Sequence, residues 1–259
     1  MNILLLGHRG YLGSYLSKNL IIDILDLPDR KLYSNGKKYD YVINCIGTPN
    51  LEYCEIHPEE TNYSNWLILR DVKKFYPEAK KINFSSYYVY DDHGLCTEGS
   101  KTTKEYNYCR QKLSGEKEVI NGVSFRIGKL FGNPYATQKK LTEYILESNV
   151  ITLDTINFNP TSVDQVLKVI RYEIENKNLS GIYNLSNLNV TTHYDYGVYI
   201  NGLLGTNKII KKMKKMDRKF HNYGKFAMSV EKINHIIPLT PWQEDMDKYL
   251  KKVLTIYKS

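Results

Sequence analysis

The sequence predicts an α/β fold built on a doubly wound parallel sheet. Three observations point to it. An apolar strand near the amino terminus runs straight into a glycine turn, Gly7-His8-Arg9-Gly10-Tyr11-Leu12-Gly13, and then into a helix-spaced segment. Apolar strands go on alternating with helical segments along the chain. The 259 residues, 42% of them hydrophobic, suffice for one large core with a small second lobe.

Taken in order, Asn2 to Leu6 reads as the first buried strand and Tyr11 to Leu20 as the first helix. The next stretch is unusually short. A dinucleotide fold places a second strand there, ending in an acid about 20 residues past the glycine turn that holds the adenosine ribose of NAD. Here Gly13 is followed by Asp23-Ile24-Leu25-Asp26, and Pro28 breaks the pattern. Either Leu20 to Leu25 is a brief second strand, or the strand is truncated and Asp23 belongs to a loop. Tyr41 to Ile46 is a clear strand, Asn62 to Tyr76 a helix with Trp66, Leu69 and Val72 on one side, and Lys81 to Phe84 a strand leading into Ser85-Ser86. Glu105 to Ile120 follows as a helix, Val123 to Ile127 as a strand and Gly181 to Leu185 as the last strand. There is no internal repeat or low-complexity linker.

The glycine turn has a mechanical task. Its glycines permit a tight turn and close backbone approach, so that a pyrophosphate rests on the N-terminus of the following helix. Arg9 lies inside the turn, where a guanidinium can fork onto the 2′-phosphate of NADP. With no acid firmly placed to select NAD, the expectation is NADP, with NADPH preferred over NADH. Tyr108 and Lys112 share a helix face one turn apart, so a lysine ammonium can lie beneath a tyrosine hydroxyl and draw its pKa down from about 10. Such a phenol exchanges a proton with a carbonyl or alcohol oxygen. Ser85 and Ser86 end a strand at its carboxyl edge, where open α/β sheets bind ligands, and Ser86 is the favoured partner for a substrate oxygen. Tyr87, Tyr88 and Tyr90 lack a lysine at i+4 and are read as pocket lining or packing.

Composition bounds the alternatives. No apolar run approaches the roughly 20 residues that span a bilayer, and Gly7 and Arg9 interrupt any signal-peptide core, so no membrane partner and a cytoplasmic location are expected. Cys45, Cys54, Cys96 and Cys109 form no Cys-x-x-Cys pair, which argues for reduced thiols and against disulfides or a metal site. The net charge of +8 is concentrated in Lys208 to Lys219, read as a solvated face; a phosphate-bearing ligand is its functional alternative, and no nucleic-acid partner is expected. His8, His57, His193, His221 and His235 have no metal-ligand spacing and receive no catalytic role. Arg126 is read as a buried ion-pair partner rather than a ligand contact.

Phe84-Ser85-Ser86-Tyr87-Tyr88-Val89-Tyr90-Asp91, Thr97-Glu98 and Tyr108-Cys109-Arg110-Gln111-Lys112-Leu113-Ser114-Gly115-Glu116 resemble the extended short-chain dehydrogenase/reductase family. Asp40-Tyr41-Val42-Ile43-Asn44-Cys45-Ile46-Gly47, Asn159-Pro160-Thr161, Gly181-Ile182-Tyr183-Asn184-Leu185 and Pro241-Trp242 extend the likeness over nearly the whole chain. Within the family the chain is most similar to the dTDP-4-dehydrorhamnose reductases. Its glycine turn is similar to that of GDP-fucose synthase, whose arginine serves NADP binding.

The resemblance implies a Rossmann-type lobe over 1–130, with 161–186 returning to it, and a small substrate-binding lobe from 131–160 and 187–259. It implies hydride transfer from NAD(P)H to the C4 ketone of a nucleotide-linked 4-keto-6-deoxy sugar, in deoxysugar and surface-glycan biosynthesis. Tyr108 would donate the proton, Lys112 would depress its pKa and hold the nicotinamide ribose, and Ser86 would orient the ketone. Gly7, Arg9, Gly10, Tyr11, Leu12, Gly13, Asp23, Cys45, Ile46, Gly47 and Asn62 would line the cofactor with Tyr108 and Lys112. The only macromolecular partner kept open is a second copy in a homodimer. Two departures matter. GDP-fucose synthase epimerises with a cysteine just after its serines, where this chain has Tyr87; the rhamnose-type reductases carry Asp-Tyr where it has Tyr87-Tyr88. An epimerase or dehydratase of the same family, or a non-catalytic NADP-binding regulatory subunit, are the competing readings. Loops 132–140 and 211–225 are where substrate choice would lie.

Overall fold

Strands β1 (Ile3–Leu6) and β3 (Tyr41–Asn44) are buried along their whole length, because both lie inside a parallel sheet covered on two faces. The sheet has six parallel strands in the order β11 (Gly181–Leu185), β6 (Gly122–Ile127), β4 (Lys80–Ser86), β3, β1 and β2 (Asp23–Leu25). The computed structural model describes residues 1–27, 31–91, 94–205, 207–213 and 226–256; Pro28, His221, most of loop 211–225 and the basic run beyond residue 213 lie outside the described residues.

Strand side chains alternate between faces, and each face finds its own cover. Ile3 and Leu5 of β1 join Ile43, Ile82 and Phe125 against Leu16 of α1 (Tyr11–Asn19) and Val166 and Ile170 of α7 (Val163–Asn176). Leu4 and Leu6 join Val42 on the other face against Ile68, Leu69 and Val72 of α4 (Ile68–Phe75). The second strand is real but brief: β2 pairs only with β1, at the edge of the sheet. The single helix predicted over Asn62 to Tyr76 is instead a composite. After α2 (Leu51–Ile56), capped by the Asn50 side chain, come α3 (Pro58–Asn62), a π turn Tyr63–Leu67 and α4. Such wide turns insert one residue into a helix and gather at functional sites, and this one turns Asn65 inward.

A second apolar core, with Phe131, Ile145, Phe158, Tyr196, Trp242 and Met246, lies beyond the carboxyl edge of the sheet. Short paired strands frame it: β7 (Lys129–Phe131) with β10 (Pro160–Ser162), β8 (Val150–Leu153) with β13 (Ile209–Lys212), and β9 (Asn157–Phe158) with β12 (Thr191–Thr192). Its helices are α6 (Leu141–Glu147), α8 (His193–Leu204) and α10 (Trp242–Ile256). Strand β5 (Gly94–Cys96) pairs with β14 (Phe226–Met228), ahead of the short α9 (Glu231–Asn234). Among the described residues no helix is long and apolar enough to cross a membrane, and no group of three His, Cys, Asp or Glu could hold a metal ion.

Helix α5 (Asn107–Glu118) is fixed to the sheet by charge. Arg126 of β6 donates to Glu116 of α5 twice, Nε to Oε1 at 2.9 Å and Nη2 to Oε2 at 2.8 Å, and Ser85 donates its hydroxyl to Oε1 at 2.6 Å. Both charged side chains are buried, so removing one strands the other. Arg126→Met is therefore expected to cost about 3–5 kcal/mol in denaturant unfolding. Combining it with Glu116→Gln should cost less than the two changes summed; strict additivity would mean the pair is not coupled.

Candidate active site

Strand order reverses between β1 and β3, and the segments leaving their carboxyl ends meet there. Gly7 takes φ +81°, and a Cβ on it would lie 2.8 Å from the backbone of Cys45 and Ile46. A Cβ on Gly13 would lie 2.1 Å from the Gly7 carbonyl oxygen. The turn can close only with glycine at both points. It closes on itself through Gly10 N–H donating to Gly7 O at 3.0 Å, and Gly10 caps α1 without a side-chain bond. The first N–H groups of a helix have no partner inside it, so Tyr11, Leu12 and Gly13 present the donors that a pyrophosphate accepts. The Cys45 backbone packs directly against Gly7 of the turn, and Gly47 follows two residues on. The glycines let strand, turn and helix close on one another, and the free N–H groups at the start of α1 are the physical fit to a dinucleotide phosphate.

At β2 the geometry departs from the sequence reading. Asp23 stands at the first position of β2, toward the amino edge, where Lys37 Nζ donates to it at 2.9 Å and Tyr39 at 3.2 Å. The acid beyond the carboxyl end of β2 is Asp26, and its Oδ2 accepts from Arg9 Nη2 at 2.5 Å, with both side chains exposed. Arg9 is thus at the expected edge, but it meets an acid there.

Farther along the same edge, β4 and α5 bring the chemical groups together. The Ser86 hydroxyl accepts from the Tyr88 N–H at 3.2 Å and stands within hydrogen-bonding reach of the Tyr108 phenol. Ser85 points the other way, to Glu116. Lys112 Nζ donates to the Phe84 carbonyl at 3.0 Å and lies 3.0 Å from where a Cβ on Gly47 would be. The lysine therefore reaches the segment after β3, and a side chain at 47 would crowd its ammonium.

The expected lowering of the Tyr108 pKa by Lys112 does not hold in this geometry. Burial raises Tyr108 well above the ordinary phenol value, opposed in part by Ser86. The Lys112 ammonium is 6.0 Å from the centre of the Tyr108 ring and is itself pushed down to about 8 by burial, against the pull of Cys54, Glu116 and Cys45. Desolvation dominates both groups.

Several residues of the site lack a sequence signal. Asn65 accepts from Thr48 N–H at 2.9 Å and donates to Thr48 O at 3.1 Å and to Gln111 Oε1 at 2.9 Å, and its Oδ1 lies 3.2 Å from a Cβ built on Gly47. It is Asn65, one turn past Asn62, that faces the Lys112–Gly47 junction; Asn62 closes α3. Gly115 lets α5 approach, since a Cβ there would lie 2.9 Å from the Asn65 carbonyl oxygen. Cys54 and Cys109 pack with Tyr108, with Cys109 Sγ against the Tyr88 carbonyl at 3.2 Å. Burial raises both thiols, Cys109 to about 12, so neither is a ready base at neutral pH. Open grooves of about 440 and 450 Å³ lie elsewhere, at the amino edge of the sheet and along α7, so chemistry rather than concavity locates the site.

Comparison with known proteins agrees with this architecture. The chain matches the family described as RmlD substrate binding domain over residues 1–255. No curated protein matches it in sequence. A dTDP-4-dehydrorhamnose reductase from Clostridium acetobutylicum superposes with a TM-score of 0.83 at 19% identity, covering 98% of this chain and 100% of that one. The reductase of the same name from Bacillus anthracis, solved in complex with NADP, gives 0.82 at 17% identity, covering 97% and 99%. A UDP-N-acetylglucosamine 4-epimerase from Methanobrevibacter ruminantium gives 0.76 at 18% identity, covering 98% of each chain. Likeness at these identities establishes a shared fold.

The depressed Lys112 pKa carries a stability signature. Between about pH 8 and the ordinary 10.5 the unfolded chain holds a proton that the folded chain releases, so folding gains stability as pH rises through that window. Lys112→Met removes this penalty. Its advantage over the native chain should be greater at pH 7 than at pH 10.5 by roughly 3 kcal/mol, read by denaturant unfolding. A difference that stays flat across that range contradicts a buried ammonium.

Proposed function

The chain belongs to the RmlD substrate binding domain family, and on that premise we propose that it is an NADPH-dependent reductase of a nucleotide-linked 4-keto-6-deoxy sugar. The observation that carries the reading is the convergence at the carboxyl edge of Ser86 with the Tyr108 phenol, and of Lys112, one turn on, with Gly47. The glycine turn and the Cys45 to Gly47 segment would hold the dinucleotide. Bound there, the nicotinamide supplies a hydride for a carbonyl carbon.

The chain's own groups handle the oxygen. Ser86 donates a hydrogen bond to the ketone and fixes it beside the phenol. Tyr108, held protonated by burial, passes its proton to the oxygen as negative charge develops there. A donor of this kind must be charged with its proton at working pH, and desolvation secures that. Lys112 reaches into the crevice beside Gly47, where it can hold a ribose hydroxyl and, while protonated, offset the phenolate charge left after transfer.

The epimerase reading finds less support. Tyr87 stacks on Tyr88, ring centres 4.3 Å apart, where a thiol base would be needed, and the thiols beside Tyr108 are raised. A non-catalytic subunit would bind NADPH without turnover. Screening NADPH oxidation against several 4-keto-6-deoxy sugar nucleotides separates the readings. Tyr108→Phe is expected to lower turnover on the order of 10²- to 10⁴-fold with cofactor affinity retained. A fall below about tenfold would move the donor role elsewhere, with Tyr88 the first candidate.

Cofactor choice turns on Arg9 and Asp26. Arg9 meets Asp26 through Nη2, so a 2′-phosphate would share the guanidinium with a carboxylate that repels it, and the preference for NADPH is moderated by this neighbour. Arg9→Ala is expected to weaken NADPH roughly tenfold with NADH nearly unchanged, and Asp26→Asn to tighten NADPH selectively, both by titration. Equal effects on the two cofactors would remove Arg9 from the 2′-phosphate.

A further inference from the structure

The helix that carries Tyr108 and Lys112 has no cap of its own. Tyr106 precedes α5 without a side-chain bond to it, and the first turn contains no acid. The tie of Glu116 to the sheet lies about two turns from Tyr108, which is only the second residue of the helix. The N–H groups of a first turn have no acceptor within the helix, so the phenol rides on the part of α5 that most needs one from outside.

The acceptor comes from another element. Glu55, near the end of α2, takes the Asn107 N–H on Oε1 at 2.5 Å and the Asn107 side-chain amide on Oε2 at 3.1 Å. Both carboxylate oxygens are thus engaged by one residue, the neighbour of Tyr108. Arg110 in turn donates to Asn107 Oδ1 and to the Lys104 and Glu105 carbonyls at 2.7 and 2.9 Å, which binds the incoming loop to the same turn. The support itself is fixed: Asn50 caps α2, and Cys54, next to Glu55, is buried in one cluster with Tyr108 and Cys109. A carboxylate also suits the positive end of a helix. Resting on the reductase reading, we propose that Glu55 is a positioning residue, which caps α5 from α2 and so keeps the Tyr108 hydroxyl on Ser86. Lys112 does not depend on this support. It lies one turn farther in, and the Phe84 carbonyl holds its ammonium. Loss of Glu55 should therefore show in proton delivery rather than in cofactor binding.

The test compares Glu55→Ala and Glu55→Gln with the native full chain. Glutamine keeps an acceptor for the Asn107 N–H and loses the second one. Amide hydrogen exchange over Asn107 to Gln111 is expected to speed up roughly tenfold or more in Glu55→Ala and by less in Glu55→Gln. With a 4-keto-6-deoxy sugar nucleotide as substrate, kcat should fall roughly tenfold in Glu55→Ala and recover in part in Glu55→Gln. NADPH affinity should stay within about twofold of native in both, which also reports an intact fold. Adding Glu55→Ala to Tyr108→Phe should lower kcat no further, because the hydroxyl it positions is already gone. Unchanged exchange in the first turn of α5 overturns the cap. A kcat that holds in Glu55→Ala, or a full further loss on the Tyr108→Phe background, overturns the positioning role. The reductase reading is judged separately, by turnover of the native protein: no NADPH oxidation with any sugar nucleotide sinks that reading, while the exchange measurement still decides whether Glu55 holds the turn that bears Tyr108.

Discussion

One buried carboxylate organises the carboxyl edge of the sheet. Glu116 takes two hydrogen bonds from Arg126 on β6 and one from Ser85 on β4, so a single residue of α5 is tied to both strands that form the floor of the site. Tyr108 and Lys112 lie two turns and one turn earlier on the same helix, and their positions over Ser86 and Gly47 follow from that anchor. On its outer side α5 is set by Gly115, where the absence of a side chain admits the Asn65 carbonyl, and by Gln111, which hydrogen-bonds Asn65, Thr61 and Pro58. Arg126 continues the chain of contacts over the Tyr90 ring at 4.9 Å and to the Glu98 carbonyl. Because breaking such a pair leaves an uncompensated charge indoors, the sheet and helix have little freedom to drift apart.

Much of this was legible in the sequence where the pattern was strong. Buried parallel strands are unbroken apolar runs, and β1, β3, β6 and β11 fell where those runs are; Arg126 is the buried ion-pair partner it was read to be. The composite of α2, α3 and the π turn was not legible, because its inward residue is an asparagine whose burial depends on partners from three other segments. The same holds for the edge of the sheet. Asp23 and Asp26 are equivalent as letters, and only the position at which β2 begins and ends assigns them to opposite ends of the strand.

Electrostatics was the least readable part. The i, i+4 spacing does place Lys112 one turn from Tyr108, but the distance to the ring and the bond to the Phe84 carbonyl leave the phenol governed by desolvation. Spacing reports a shared face, not the direction in which a four-carbon side chain is drawn. The outcome suits the proposed reduction: a phenol that keeps its proton until an alkoxide forms is a better donor than one already ionised, and a lysine near pKa 8 adjusts its charge close to working pH.

The central claim, that this edge delivers hydride to a sugar carbonyl while Tyr108 supplies the proton, is tested most directly by isotope transfer. NADPH bearing deuterium at the transferable C4 position is mixed with a 4-keto-6-deoxy sugar nucleotide in ordinary water, and the product is read by mass spectrometry and NMR. One deuterium on C4 of the sugar, absent with Tyr108→Phe, is the expected result. A product without deuterium at C4, or transfer undiminished by Tyr108→Phe, would contradict it.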